Sequence, residues 1–269
     1  MNHSPYHETV TADTYDRLAL PSKFLAPATD LVEMLQLSTG DLVLDVGSGT
    51  GAASIPAAAT VGPSGLVIAL DTSAEMLRLL HKKQVCQVVV GKVPGLPFGN
   101  GLFQAVMGNF VVSHFKSYEL GLADMIRVLS PGGKLGVTTW AAGEDQYGQA
   151  WKEVTAAFLD ADRLQAVFLE IIPWEEWFSQ KENLRQALEV VGLAQIEVSQ
   201  RRYRIMMNVT DYLSIKENTV EGTFLRRTLE ARKWEQFRQE VSELFQSRFG
   251  ESVEYNGDVY FGTGVMPGG

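Results

Sequence analysis

Cysteine is almost missing from this chain. Cys86 is the only one in 269 residues, so an intrachain disulfide and a cysteine-based zinc site are both excluded. Histidine is scarce as well, with only His3, His7, His81 and His114 to serve as bases near neutral pH. Positive charge is short: 23 Lys and Arg stand against 32 Asp and Glu, a net charge of −9. That balance counts against a surface built to neutralise many phosphates, so no nucleic-acid partner is expected. The one basic cluster, Arg201, Arg202 and Arg204, reads as a solvated strand end. No apolar run reaches the length of a membrane span, and the polar stretch Met1 to Asp13 lacks the apolar segment of a secretory signal. No membrane partner is expected, and a cytoplasmic setting is, where a lone thiol is unremarkable. Internal repeats and low-complexity tracts are absent too.

What is present is an ordinary globular composition, 45% hydrophobic and 20% charged, enough to bury one large α/β unit. Residues of about Asp13 to Leu37 read as helix broken by Pro21 and Pro27. Leu42 to Val46 is a short apolar run leading into glycines, which predicts a buried strand. Helix follows over Ala52–Ala59, strand over Leu66–Leu70, helix over Ala74–Lys83 and strand over Val85–Val90. Ala105–Val112 predicts a fourth strand, Leu120–Leu129 a helix, and Leu135–Trp140 a fifth strand after the Pro131-Gly132-Gly133 turn. Alternating strands and helices imply a parallel sheet with helices on both faces, and such sheets bind ligands at the carboxyl ends of their strands.

Beyond Trp140 the pattern changes. Residues 143–182 are helical and aromatic, and Glu182–Val191 is a helix stopped by Gly192. Gln195–Ile205 alternates as a strand, 210–249 reads as two amphipathic helices split near Gly222, and Ser252–Met266 alternates again with a bend or bulge at Gly257. The expected fold is therefore a Rossmann-like, mostly parallel seven-strand sheet with helical cap insertions. Its last strand, Tyr255–Val265, should run antiparallel beside Gln195–Ile205. The core is expected over 1–142 with an N-terminal helical lid, the cap over 143–182 and 210–249, and the rest of the sheet over 183–209 and 250–269.

The informative segment is Asp45-Val46-Gly47-Ser48-Gly49-Thr50-Gly51, which leaves a strand and opens a helix. Glycines there let the backbone turn sharply and approach a ligand closely. The second strand ends at Asp71, about twenty residues after the last glycine, where an acid can accept hydrogen bonds from ribose hydroxyls. Gly47-Ser48-Gly49-Thr50-Gly51-Ala52 also satisfies the dinucleotide pattern, so a nicotinamide-dependent NAD(P) oxidoreductase must be weighed.

Leu44 through Gly51, with its acid two positions before the first glycine, resembles the first motif of class I S-adenosylmethionine-dependent methyltransferases. A carboxylate there suits a cationic amino-acid group better than an anionic pyrophosphate. Asp71-Thr72-Ser73-Ala74-Glu75-Met76-Leu77, Leu96-Pro97-Phe98 with Gly101-Leu102-Phe103, and Arg127 through Leu135 resemble later family segments in the family's order. The likeness is specific over roughly residues 15–140 and loose beyond. Two positions depart from it: Lys92 stands where the family usually has an acid that accepts from the adenine amino group, and Gln104 where it usually has Asp. A lysine has donors only, which leaves a backbone N–H near Val93 to hold the adenine edge.

The resemblance implies S-adenosylmethionine as cofactor, no metal, and a small-molecule methyl acceptor. Asp45, Gly47, Ser48, Gly49 and Gly51 would hold the amino-acid end, and Asp71 the ribose. Thr72, Met76, Lys92 and Val93 would surround the adenine, with Asn109 near the methionyl part. Tyr15 lies in a segment resembling a lead-in helix, where its ring would favour a sulfonium or simply pack the helix. His114, after the fourth strand, is the candidate general base or a structural histidine, whereas His81 reads as solvated. His3 and His7 belong to a segment able to fold over the site. Trp140, Trp151, Phe158, Trp174 and Trp177 either line an acceptor pocket or form core. The apolar stripe from Phe224 to Phe245 packs on the core or on a second copy of the chain, as a homodimer. A non-catalytic member of the fold stays open beside the two enzyme readings.

Overall fold

The computed structural model describes residues 4–143 and 145–268. A short helix α1 (Thr9–Thr14) runs into a wide helical stretch over Tyr15–Phe24 and then α2 (Leu25–Leu35). The core alternates from there: β1 (Leu42–Val46), α3 (Ser54–Val61), β2 (Leu66–Asp71), α4 (Ala74–Lys82), β3 (Gln87–Val90), β4 (Phe103–Asn109), α5 (Tyr118–Arg127) and β5 (Leu129–Trp140). Four helices follow: α6 (Gln146–Phe158), α7 (Ala161–Ile171), α8 (Glu175–Phe178) and α9 (Lys181–Val190). Next come β6 (Ala194–Asn208), α10 (Val209–Glu217), α11 (Val220–Thr228), α12 (Ala231–Phe249) and β7 (Ser252–Val265).

The seven strands form one sheet in the order β3-β2-β1-β4-β5-β7-β6. All pairs are parallel except those of β7, which runs antiparallel to β5 and β6. The expected mostly parallel, seven-strand Rossmann-like sheet is present. Strand order reverses between β1 and β4, and the crevice outside their carboxyl ends is where such sheets bind ligands. The pleat of β1 explains the layering. Leu44 and Val46 join Val106, Leu135, Val137 and helices α5 and α9 on one face, while Val43 joins Ala105, Met107 and helices α2 and α3 on the other. A separate cluster joins the later helices, with Tyr147 and Trp151 of α6, Tyr212 of α10 and Phe237, Val241 and Phe245 of α12.

Several expected details differ, each for a local reason. Pro21 and Pro27 do not break the first helical region. Pro21 sits where the turn widens, so that the Leu25 N–H donates to the Leu20 carbonyl five residues back, and Pro27 falls in the first turn of α2. Residues 210–249 form three helices, split on either side of Gly222 and not at it. A side chain at Gly222 would come within 2.2 Å of the Lys216 carbonyl, so this glycine serves close packing. Gly257 makes no bulge: it stays in register opposite Tyr203, and a Cβ there would press on Ile205 and Trp140 at 3.0 Å. The Pro131-Gly132-Gly133 turn lies inside the bulged start of β5.

The stripe from Phe224 to Phe245 packs within the chain against Trp151 and Phe158. The basic cluster is neutralised residue by residue: Arg201 pairs with Asp30 at 2.7 Å, Arg202 with Asp258 at 2.8 Å and Arg204 with Glu254 at 2.6 Å. Among the described residues no helix is long and apolar enough to cross a membrane.

Candidate active site

The turn after β1 is built on left-handed backbone at Gly47, Gly49 and Gly51, with φ of 69°, 55° and 102°. Gly47 and Ser48 donate their N–H groups to the Leu70 carbonyl at 2.7 and 3.1 Å, which ties the turn to the end of β2. The Gly49 N–H donates to Asp71 Oδ2 at 2.8 Å, and Asp71 Oδ1 accepts from the Ser73 N–H at 2.8 Å. Glycine turn and terminal acid, inferred as partners from spacing, are thus directly bonded. Burial pushes the Asp71 carboxyl up, against the pull of those N–H groups and of nearby His7.

Gly47 tolerates nothing larger. A Cβ would meet Val111 Cγ2 at 2.2 Å, in a backbone conformation that already disfavours side chains. Strain and overpacking together predict that Gly47→Ala lowers stability by about 2–4 kcal/mol, readable as a melting point lower by roughly 5–15 °C. An unchanged melting curve would refute this close approach.

Asp45 lies under the turn, 1% exposed. Its Oδ2 accepts from Ser54 Oγ at 2.5 Å, while Oδ1 has no partner. Burial pushes this carboxyl up to about 7, opposed by the Ser54 bond and reinforced by the field of Asp71. Ser48 Oγ and Thr50 Oγ1 are also buried without partners. Buried polar atoms are normally satisfied, so three orphans around one turn mark a place made for a polar guest. The Asp45 carboxylate and the two hydroxyls of this glycine-rich turn fit the ammonium and carboxylate of an amino-acid group.

The N-terminal segment covers this turn. The Tyr15 ring lies 3.5 Å from where a Gly49 Cβ would stand and stacks on Phe24 at 5.1 Å. Tyr6, which sequence reasoning missed, accepts from Ser73 Oγ at its carbonyl (2.5 Å) and sets its ring against His114 at 5.6 Å. His7 comes near enough to Asp71 to lower it, whereas His3 lies outside the described residues. Glu8 clamps the segment by pairing with Arg226 and Arg227 of α11. No spacing rule ties residue 8 to residue 226, so the contact had no sequence signal.

Thr72 is exposed and Met76 buried, both next to Asp71 in the chain at the start of α4. Asp71 pairs with Val90, and its carbonyl accepts from the Gly91 N–H at 3.0 Å, which brings Lys92 and Val93 to the same edge. The Lys92 side chain is exposed and that of Val93 packs on the core. Gln104 has a different task from the one its position in the motif implied. At the far end of the sheet, its Oε1 accepts from the Leu42 N–H at 2.9 Å, so this departure is remote from the ligand edge.

At the end of β4, Asn109 Oδ1 accepts from Thr138 Oγ1 at 2.8 Å, and the Phe110 N–H donates to that hydroxyl at 2.9 Å. Phe110 adopts φ of 56°, rare for an aromatic residue, and its ring stacks on Trp140 at 4.4 Å. Among the five candidate aromatics, Trp140 reaches this region. Trp151 and Phe158 pack on Phe237, and Trp174 and Trp177 on Tyr118. His114 is drawn down to about 4 by burial, although an N–H bond to the Ile171 carbonyl opposes the shift, so its ring is neutral at pH 7.

Residues 43–133 match the family model of a methyltransferase domain. The chain is similar to aklanonic acid methyltransferase DauC of Streptomyces sp. (strain C5), 27% identical over 75% of this chain and 99% of that protein. It is also similar to demethylmenaquinone methyltransferase of Anoxybacillus flavithermus, 34% identical over 46% of this chain and 56% of that protein, so it spans about half of such relatives. In fold it is like phosphoethanolamine N-methyltransferase 2 of Haemonchus contortus, solved with S-adenosyl-L-methionine: TM-score 0.53, 18% identity, 90% of this chain and 52% of that one. A SAM-dependent methyltransferase from Aquifex aeolicus gives a TM-score of 0.51 at 20% identity, over 74% of this chain and 93% of that one. The strand order, the glycine turn bonded to Asp71 and the match over residues 43–133 agree on a methyltransferase domain within this chain.

Proposed function

We propose that the protein transfers the methyl group of S-adenosylmethionine to a small-molecule acceptor. The observation that carries this is the bond from Gly49 to Asp71 beside the orphaned Asp45 Oδ1, which offers one carboxylate to a ribose and another to an ammonium. The names of the relatives, which act on aklanonic acid and on demethylmenaquinone, support a small acceptor. When bound, the cofactor supplies an activated methyl on a sulfonium, so the chain's own work is to orient the acceptor and exclude water. Tyr6, Tyr15 and Phe24 serve as the water-excluding cover, and Asn109 as a polar contact beside the reacting centre. Thr72, Met76 and the backbone at Lys92 and Val93 form the adenine side. His114, neutral and already donating to Ile171, suits accepting a proton from an acidic hydroxyl better than from an alcohol.

Paired arginines at 201, 202 and 204 fit a protein without a nucleic-acid partner. The Cys86 thiol is pushed up to about 11 by burial, which leaves it protonated and unreactive near neutral pH.

Calorimetry with S-adenosylmethionine, S-adenosylhomocysteine and NAD tests the reading. Binding of the first two without the third is expected. Binding of NAD alone would replace it with hydride transfer, and silence from all three with a non-catalytic role. Glu8→Gln should release the cover and speed dissociation of S-adenosylhomocysteine about three- to fivefold, the scale of a partly exposed ion pair. Stopped-flow displacement reads this directly, and an unchanged rate would separate the Glu8 clamp from cofactor retention.

A further inference from the structure

The wide helical stretch Tyr15–Phe24 carries a lysine that the cofactor reading leaves unused. Lys23 Nζ lies over the rings of Trp140 at 5.7 Å and Tyr255 at 6.0 Å. Phe24 beside it meets both Phe110 and Trp140, so the ammonium sits at the end of an aromatic wall that begins at Tyr15 over the glycine turn. Such an ammonium has three donors to satisfy. Among the described residues none accepts a hydrogen bond from it, and none forms an ion pair with it.

Two carboxylates lie in its neighbourhood, Asp145 and Glu175, and neither forms an ion pair with it. Asp145 Oδ1 accepts from the Gly148 N–H at 2.6 Å and caps α6, and Glu175 is bonded by Ser113. Burial pulls Lys23 down from the usual lysine range, and the fields of these two carboxylates oppose the shift only in part. Burial pushes Glu175 up, opposed by the Ser113 bond and by Lys23 itself. A half-buried cation lying over aromatic rings and lacking a hydrogen-bond acceptor can serve an anion brought by a flat apolar molecule.

We propose that Lys23 selects methyl acceptors carrying an anionic oxygen on an aromatic skeleton, pairing with that oxygen at the Trp140–Tyr255 end of the site. The proposal deepens the methyltransferase reading and rests on it. The oxygen can be a carboxylate or a phenolate, and Lys23 meets both with the same charge-assisted bond.

The test uses the full chain saturated with S-adenosylhomocysteine, at about pH 6, which favours the charged form of a lysine that burial pulls down. Binding of 2-naphthoate, 2,4-dinitrophenolate and 2-naphthylmethylammonium is compared by ligand-observed NMR and calorimetry. At least one anion should bind more tightly than the cation, and which one identifies the oxygen. Lys23→Met and Lys23→Gln should each weaken that anion about 10- to 100-fold, while Lys23→Arg keeps it within about threefold. All three variants should bind S-adenosylhomocysteine like the parent, which shows that they fold. Tighter binding of the cation, binding of neither anion, or equal anion binding in the parent and both neutral variants would overturn the role of Lys23. Failure of the parent to bind S-adenosylhomocysteine would instead overturn the methyltransferase reading.

Discussion

Asp71→Ala raises the dissociation constant for S-adenosylmethionine about a hundredfold. The carboxylate holds the Gly49 and Ser73 N–H groups with one oxygen each, which leaves a lone pair on each oxygen for a ribose hydroxyl. Bonds to a charged group are worth about 1.5–3 kcal/mol apiece, so losing the pair accounts for a factor of that size even with partial compensation by water. A second loss adds to it, because the freed Gly49 N–H no longer fixes the turn. Asp71→Asn should fall between, since its amide keeps only one acceptor oxygen. Calorimetry at a fixed salt concentration reads the effect. A change of less than threefold in Asp71→Ala would detach the ribose from this acid.

Cofactor affinity should fall about tenfold for each pH unit below about 7, and level off above it, because Asp45 must be ionised to meet an ammonium. The folded ligand-free protein holds a proton on Asp45 up to about pH 7, whereas the unfolded chain releases it near the ordinary aspartate value. Between those values the native state binds more protons, so this residue's contribution to stability declines as pH rises, by roughly 4 kcal/mol in all. Asp45→Asn should therefore weaken cofactor binding above pH 7 and remove that decline from the ligand-free melting profile. Such a pairing of lost binding with regained stability marks a charge kept for function. A pH-independent dissociation constant from pH 5 to pH 8 would show that Asp45 does not carry the charge.

The sheet was largely legible because local rules governed it. Buried runs such as Leu42–Val46 have no other use in a short segment, and β–α alternation leaves one sensible architecture. The pairing of glycine turn and acid was legible for the same reason, since both lie at the carboxyl ends of adjacent strands. Tyr6, Lys23 and Glu175 escaped because each reaches the site through a long-range contact that leaves no period in the sequence. Pro21 misled in a related way. It signals a broken helix, but the turn widens around it, and that widening presents Tyr15, Lys23 and Phe24 to the site. Wide turns inside helices often occur where a side chain has to be aimed at a ligand. Gly257 was read as a bulge because the sequence does not show that Trp140 needs the space.

Helices α10 to α12 enter the chain between β6 and β7, two strands that pair with each other along nearly their whole length. In an ordinary hairpin a few residues would close that gap. Here the loop has been expanded into three helices that share one packed interior with α6 and α7. Because the two strands pair along their own length, substitutions within these helices should leave that antiparallel edge of the sheet in place.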